Sequence, residues 1–353
     1  MRLIGICSTA FVVTVLSTAC RSVGPTRVVH DRFDYAEAIS NSWKNQMLLN
    51  LVKLRYADAP MLLDVTSVLA QYTVEGQASA VGNFPDLSGR NGWGVAASGH
   101  WAERPTITYV PVSGQRFTRS LLTPIDPAAV MSLAQSGWAI DSVFRLCVRT
   151  INGIHAGTRM RLAGQTEDPR FQTLLDAFRR LQLADGVDIR VERQKESEAA
   201  VLVVPGIDNP ATREDRRLIV DLLKLDPGVT EFALATGSIN RTGREIALQT
   251  RSMVEVLSDM SFDIRVPEAH VSDGRTGLPV TAPGISQGQF KVASGSEQPS
   301  DAFASVRYQG YWFWIENRDF ASKRGLSLLM VLLSLAETGT AGAVPGLTVT
   351  AGP

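Results

Sequence analysis

Apolar residues recur at helical spacing through DYAEAISNSWKNQMLLNLVKLRY, where Ile39, Trp43, Met47, Leu51 and Leu54 fall on one face. Asp34 and Glu37 form a D-x-x-E capping pair at its start, and Asp58 and Pro60 stop it. The pattern then turns β-branched. Residues 61–74 read as one long strand and 76–92 as a loop rich in Gly, Ser, Asn and Pro. WGVAASGHW and RPTITYVPVSG read as two further strands joined by a turn at 103–105. Two helices have an Asp-Pro start: Asp126-Pro127, ending before Gly137, and Asp168-Pro169, ending before Gly186. The second presents Phe171, Leu174, Leu175, Phe178 and Leu181 on one face. Between them, 141–151 reads as a helix ended by Asn152-Gly153.

The second half changes character. VDIRVER and AAVLVVP are strands, REDRRLIVDLLKL a helix and TEFALAT a strand, a ββαβ run. REIALQTRSMVEVLSDM reads as one more helix, and 272–300 as a loop holding a short strand at QFKVA. AFASVRY and YWFWIEN flank Gln309-Gly310, a two-residue hairpin turn. Asp319 caps FASKRGLSLLMVLLSLAETG, and GLTVTAG closes the chain as a strand. The apolar stretch 326–336 falls short of the ~20 residues of a membrane-spanning helix, so it is expected in a core. The predicted class is α+β, with mixed helices and antiparallel sheets and small ββαβ-type modules in the C-terminal half. The expected divisions are 1–19, a signal peptide; 20–33, a tether; 34–160, an α+β region with an antiparallel sheet; 161–271, an α/β module; 272–300, a flexible loop; and 301–353, a hairpin-helix-strand module.

Composition narrows the setting. The chain has 353 residues, with 35 basic and 35 acidic side chains, so no global field draws it to nucleic acid. Hydrophobic residues at 44% place it among folded rather than disordered chains. The first residues change the picture more. Met1-Arg2 is followed by residues 3–16 without a charge, the length of a secretory signal's apolar region and too short for a membrane span. Ser17, Thr18 and Ala19 are small, as a signal peptidase site requires, and Cys20 and Arg21 follow.

This small-residue site before a cysteine resembles the lipobox of bacterial lipoproteins. Ser17 stands where that family usually has leucine, with Leu16 one step earlier. The resemblance implies cleavage after Ala19 and palmitate-type acylation of Cys20. Two or three chains, at ~0.8 kcal/mol per buried CH₂, hold a protein to a membrane that one myristoyl chain holds only marginally. An ordinary cleaved signal with an incidental cysteine is the alternative. Family members with Asp after the cysteine are kept at the inner membrane; Arg21 implies the periplasmic face of the outer membrane. The stretches SWKNQMLLNLVKLRYADAPMLLDV, RPTITYVPVSGQRF and YQGYWFWIENRDFASK also resemble uncharacterised bacterial lipoproteins, a likeness that implies no activity.

Candidate chemistry is sparse. Cys7 leaves with the signal and Cys20 is acylated, so Cys147 has no internal disulfide partner; on the apolar stripe of DSVFRLCVRTI it is expected to be a buried, inert thiol. His30, His100, His155 and His270 lack metal spacing and read as surface or turn residues. Ser98 near His100 lacks the glycine pattern of a nucleophile elbow, and the glycines of GRNGWG fit no phosphate loop. In the run Tyr311, Trp312, Phe313, Trp314, Ile315, alternate residues share a face, as in a buried central strand. No catalytic, cofactor-binding or metal site is assigned, and enzymatic activity stays open. The expectation is a lipid-anchored structural, assembly or interaction component of the envelope, held to the membrane through Cys20, with protein partners and no nucleic acid. Two alternatives stand beside it. One is an enzyme or binding protein acting on cell-wall or surface polysaccharide. The other is a protomer of an oligomeric barrel using strands in 61–112, where Asp64, Gln71 and His100 suit a wet lumen.

Overall fold

A computed structural model describes residues 25–69, 72–82, 93–103, 106–157, 167–194, 197–204, 210–240, 242–277, 290–337 and 347–350. The chain is α+β. It divides into two compact units, Met1–Pro60 with Phe117–Thr338, and Met61–Arg116 with Gly339–Pro353.

Helix α1 is Pro25–Arg55, starting ten residues before the first helical position that the Asp34 cap predicted. Asp34 therefore lies inside the helix, and most of the expected tether is helical. Proline suits a first helical position, and residues 26–33 contain no Gly or Pro to stop propagation. Burial concentrates at the C-terminal end, on Met47, Leu48, Leu51 and Val52. Ala57 at φ 57° turns the chain out of the helix.

Strands β1 (Leu63–Leu69), β2 (Tyr72–Gly82), β3 (Trp93–Glu103) and β4 (Thr106–Pro111) follow. The expected antiparallel sheet is present, but β2 continues to Gly82, through residues read from composition as loop. Residues 70–71 and 104–105 lie outside the described part.

Helices α2 (Pro127–Gln135) and α3 (Ile140–Cys147) come next. Asp126 caps α2, accepting from the Ala128 amide at 2.8 Å. The helix expected over 141–151 stops at Cys147. Val148, Thr150 and Ile151 are β-branched and form β5 (Val148–Ile151), which turns back as β6 (Ile154–His155). Asn152 at φ 45° and Gly153 at φ 81° supply the two positive φ values of a type I′ turn. Asn152 also ties the hairpin down: its Nδ2 donates to the Leu223 carbonyl at 2.7 Å, and its Oδ1 accepts from the Ala247 amide at 2.7 Å. Asn152→Ala loses both bonds and is expected to cost ~1–3 kcal/mol, read as a lowered denaturant midpoint with an unchanged m-value.

Helix α4 (Pro169–Leu183) begins at the Asp168 cap and buries all five residues of its predicted face. Strands β7 (Asp188–Gln194) and β8 (Ser197–Val203), helix α5 (Pro210–Leu223) and strand β9 (Glu231–Thr236) realise the ββαβ run. The single helix expected next is two elements, β10 (Glu245–Thr250) and α6 (Met253–Ser261). Ser252 and Glu255 form a reciprocal capping box that starts α6 only after the strand is complete. The six-stranded sheet has the order β6-β5-β10-β9-β8-β7, parallel between β9 and β10 and antiparallel elsewhere. It draws strands from both sides of residue 160, where the sequence pattern had suggested a division.

Helix α7 is Glu268–Ser272. Strands β11 (Ala293–Gly295), β12 (Ala302–Tyr308) and β13 (Tyr311–Glu316) make a three-stranded sheet with β13 central. The β12–β13 turn is at Gln309-Gly310, as expected, with φ 46° and 89°. Helix α8 (Phe320–Glu337) starts at Asp319, which accepts from the Ser322 amide at 3.1 Å. Leu326, Leu328, Leu329, Leu332 and Leu333 are buried, so this apolar helix serves a core. Among the described residues no helix is long and apolar enough to cross a membrane. Strand β14 (Leu347–Thr350) pairs antiparallel with β4 across Thr106–Tyr109.

Candidate membrane-facing hairpin

Strands β1 and β4 pair antiparallel, and so do β2 and β3. Leu69 pairs with Thr106, and three residues away in each case Tyr72 pairs with Glu103, so both ladders keep one register. A bulge between Val65 and Ser67 interrupts it near the base. There β4 has β1 on one side and β14 on the other. Strands β2 and β3 form a two-stranded ribbon of eleven consecutive pairs, from Tyr72↔Glu103 to Gly82↔Trp93.

Strand alternation sorts these pairs into two faces. One face holds Val74↔Trp101, Gly76↔Gly99, Ala78↔Ala97, Ala80↔Val95 and Gly82↔Trp93. The other holds Thr73↔Ala102, Glu75↔His100, Gln77↔Ser98, Ser79↔Ala96 and Val81↔Gly94. The first is apolar from Trp93 to Trp101, and past Trp101 it ends on the pair Tyr72↔Glu103. Between Trp93 and Trp101 the polar residues, Glu75, Gln77, Ser79, Ser98 and His100, all fall on the second. Trp93 and Trp101 stand eight residues apart on one strand, ~27 Å at ~3.4 Å per residue. A membrane barrel presents an apolar band ~25 Å tall between aromatic girdles, on strands of ~9–11 residues.

Among the described residues neither β2 nor β3 has a second strand beside it. Each leaves a row of backbone donors and acceptors along its outer edge. A lone two-stranded ribbon is marginally stable in water, and open edges recruit further strands. Hydrocarbon forbids such edges altogether, so a ribbon of this kind enters a bilayer only within a closed ring.

The other sequence-predicted residues are placed as follows. Cys20, Ala19 and the signal segment lie outside the described residues. Cys147 is fully buried at the end of α3, as expected, and burial pushes its thiol up to about 12. His155 is exposed in β6, in line with expectation; His30 lies in α1 and His100 in β3. Ser98 and His100 share a strand face, an arrangement without the strand-to-helix turn of a nucleophile elbow. In β13, Phe313 and Ile315 are fully buried, while Trp312 and Trp314 are half-buried on the other face. A Cβ built at Gly295 would stand 3.2 Å from the Trp314 ring, so the glycine admits that ring.

His270 departs from expectation: it is buried, not a surface or turn residue. Its Nδ1 lies 2.6 Å from the Tyr56 hydroxyl, and Arg275 reaches its Nε2 at 3.3 Å. The Tyr311 ring meets it edge-on at 4.8 Å. A guanidinium only donates, so Nε2 accepts and Nδ1–H donates to Tyr56, the neutral tautomer. Burial, then the Arg275 charge, lower the His270 pKa; Asp273 opposes them. Burial likewise pushes Tyr56 up to about 12. Nearby, Arg55 donates to Thr276 Oγ1 at 2.8 Å and to the Gly277 carbonyl at 2.9 Å. This cluster pins the C-terminal end of α1 to the segment around α7.

Its pH consequence has a definite sign. A histidine held neutral on folding contributes stability that is fully present above the unfolded pKa of ~6.5 and is lost as pH falls below it. The thermal midpoint of the wild-type chain is expected to drop more between pH 7 and pH 5 than that of His270→Gln. Equal drops would remove His270 from the acid response.

Searches against protein-family models, curated proteins and solved structures return no match to this chain.

Proposed function

We propose that this chain is a lipid-anchored envelope protein whose β2–β3 ribbon enters the outer membrane and joins the ribbons of further copies in a multi-chain β-barrel. The observation that carries the reading is the register of the ribbon. Between Trp93 and Trp101 it collects an apolar face with aromatic ends on one side and a polar face on the other, over a membrane's thickness. The open edges of β2 and β3 supply the means of assembly. Strand β3 of one copy lies antiparallel beside β2 of the next, a head-to-tail contact that closes by rotation. The smallest membrane barrels have ~8 strands, so closure from two strands per chain takes about four copies or more.

The Cys20 anchor fits this arrangement. Acyl chains hold each copy at the membrane surface, which raises the local concentration of ribbons before they pair. The test is purification of the acylated protein from native outer membranes in mild detergent, with its mass measured in solution. An assembly of about four copies or more is expected, with each chain starting at a diacylglyceryl-modified Cys20. A detergent-extracted monomer would overturn the barrel. An unmodified thiol at position 20 would overturn the anchor.

A further inference from the structure

We infer that the polar face of the ribbon makes the assembled barrel a cation-preferring pore, and that this preference collapses as pH falls through the histidine range. The inference rests on the barrel reading and assigns its lumen a chemistry. Four titratable side chains occur in the ribbon, Tyr72, Glu75, His100 and Glu103, and it contains no Lys, Arg or Asp. Tyr72 and Glu103 are a register pair at the base, on the face of the tryptophans and outside the interval between Trp93 and Trp101. Glu75 and His100 are also a register pair, and they lie on the polar face within that interval. They are its sole ionisable residues, flanked by Thr73, Gln77 and Ser98.

Ring symmetry repeats that pair once per copy at a single height. Carboxylate rings at one height are how cation channels select. Above the ordinary histidine pKa of ~6.5 the imidazoles are neutral and the ring carries one negative charge per copy. Below it the register partner of each Glu75 is an imidazolium, and the ring charge cancels. Glu75, with an ordinary pKa of ~4.3, is still ionised at pH 5, so the change comes from His100.

The experiment uses the full acylated protein, purified from native membranes, in a planar bilayer under a KCl gradient. Potassium is expected to pass about threefold or more better than chloride at pH 7.5, and about equally at pH 5. Glu75→Gln should remove the potassium preference at pH 7.5 and favour chloride at pH 5. His100→Gln should keep the potassium preference at both values. The two variants report opposite halves of the same pair, so either suffices if the other fails to assemble. Conductance whose selectivity moves with neither pH nor substitution overturns this inference and leaves the barrel standing. Absence of any conductance from the oligomer likewise overturns this inference alone, whereas a detergent-extracted monomer overturns both.

Discussion

Replacing Ala78 by arginine is expected to keep the protein from assembling in the outer membrane, whereas Ser79→Arg, one residue on, leaves assembly intact. Ala78 pairs with Ala97 at the middle of the apolar face, and Ser79 belongs to the polar face. An arginine on the lipid side of a barrel strand costs ~2–4 kcal/mol at the bilayer midplane and much less near the interfaces. Because every copy in a closed ring carries the substitution, about four copies raise the cost to ~10 kcal/mol, enough to suppress assembly. An arginine on the wet face costs little beyond crowding. The readout is the fraction of chain recovered as detergent-resistant oligomer from isolated outer membranes. Equal recovery of the two variants would mean that the faces are not what the register makes them.

The second large effect lies in the other unit and tests its core independently. Phe178, on α4, is fully buried and meets the Phe144 ring edge-on at 5.6 Å. Phe144 lies on α3, so this contact joins two helices of the larger unit. Phe178→Ala removes the ring and leaves a cavity that close-packed neighbours fill only in part, at an expected cost of ~3–5 kcal/mol. That is a large fraction of a domain's typical stability, so the denaturant midpoint should fall steeply. A shift equivalent to less than about 1 kcal/mol would mean that α3 and α4 do not pack as described.

The local signals of this fold were legible in the chain. Asp126, Asp168 and Asp319 cap helices because a cap needs a side chain and an amide two or three residues on. The stripe on α4 and the Gln309-Gly310 turn were equally local. Two further local signals carried more than the helical reading took from them. Asn152-Gly153, read only as a helix stop, is a type I′ hairpin sequence, and Ser252 with Glu255 is a capping box. The first joins two strands and the second separates a strand from a helix, inside stretches whose apolar residues also fit a helical period. Asp34 misled because a D-x-x-E pair sits as comfortably within a helix as at its start.

What was not legible depends on partners far away in the chain. Residues 76–82 are small and polar enough to read as loop, and they become strand through pairing with 93–99. The pairing of 347–350 with 106–109 leaves no local trace. His270 reads as a lone surface histidine until Tyr56, 214 residues away, is brought against it. Long strands of small residues at 61–112 did suggest a barrel contribution. The sorting of apolar and polar residues into separate faces required the register, since neither strand alone fixes which residues of the other lie opposite.

A cysteine scan from Thr73 to Val81, labelled with a small water-soluble maleimide in native outer membranes, tests the membrane placement of the ribbon most directly. Cys147 is fully buried and gives no background. Labelling is predicted to alternate, strong at positions 73, 75, 77, 79 and 81 and absent at 74, 76, 78 and 80. Uniform labelling along the strand, or alternation in the opposite phase, would contradict the account.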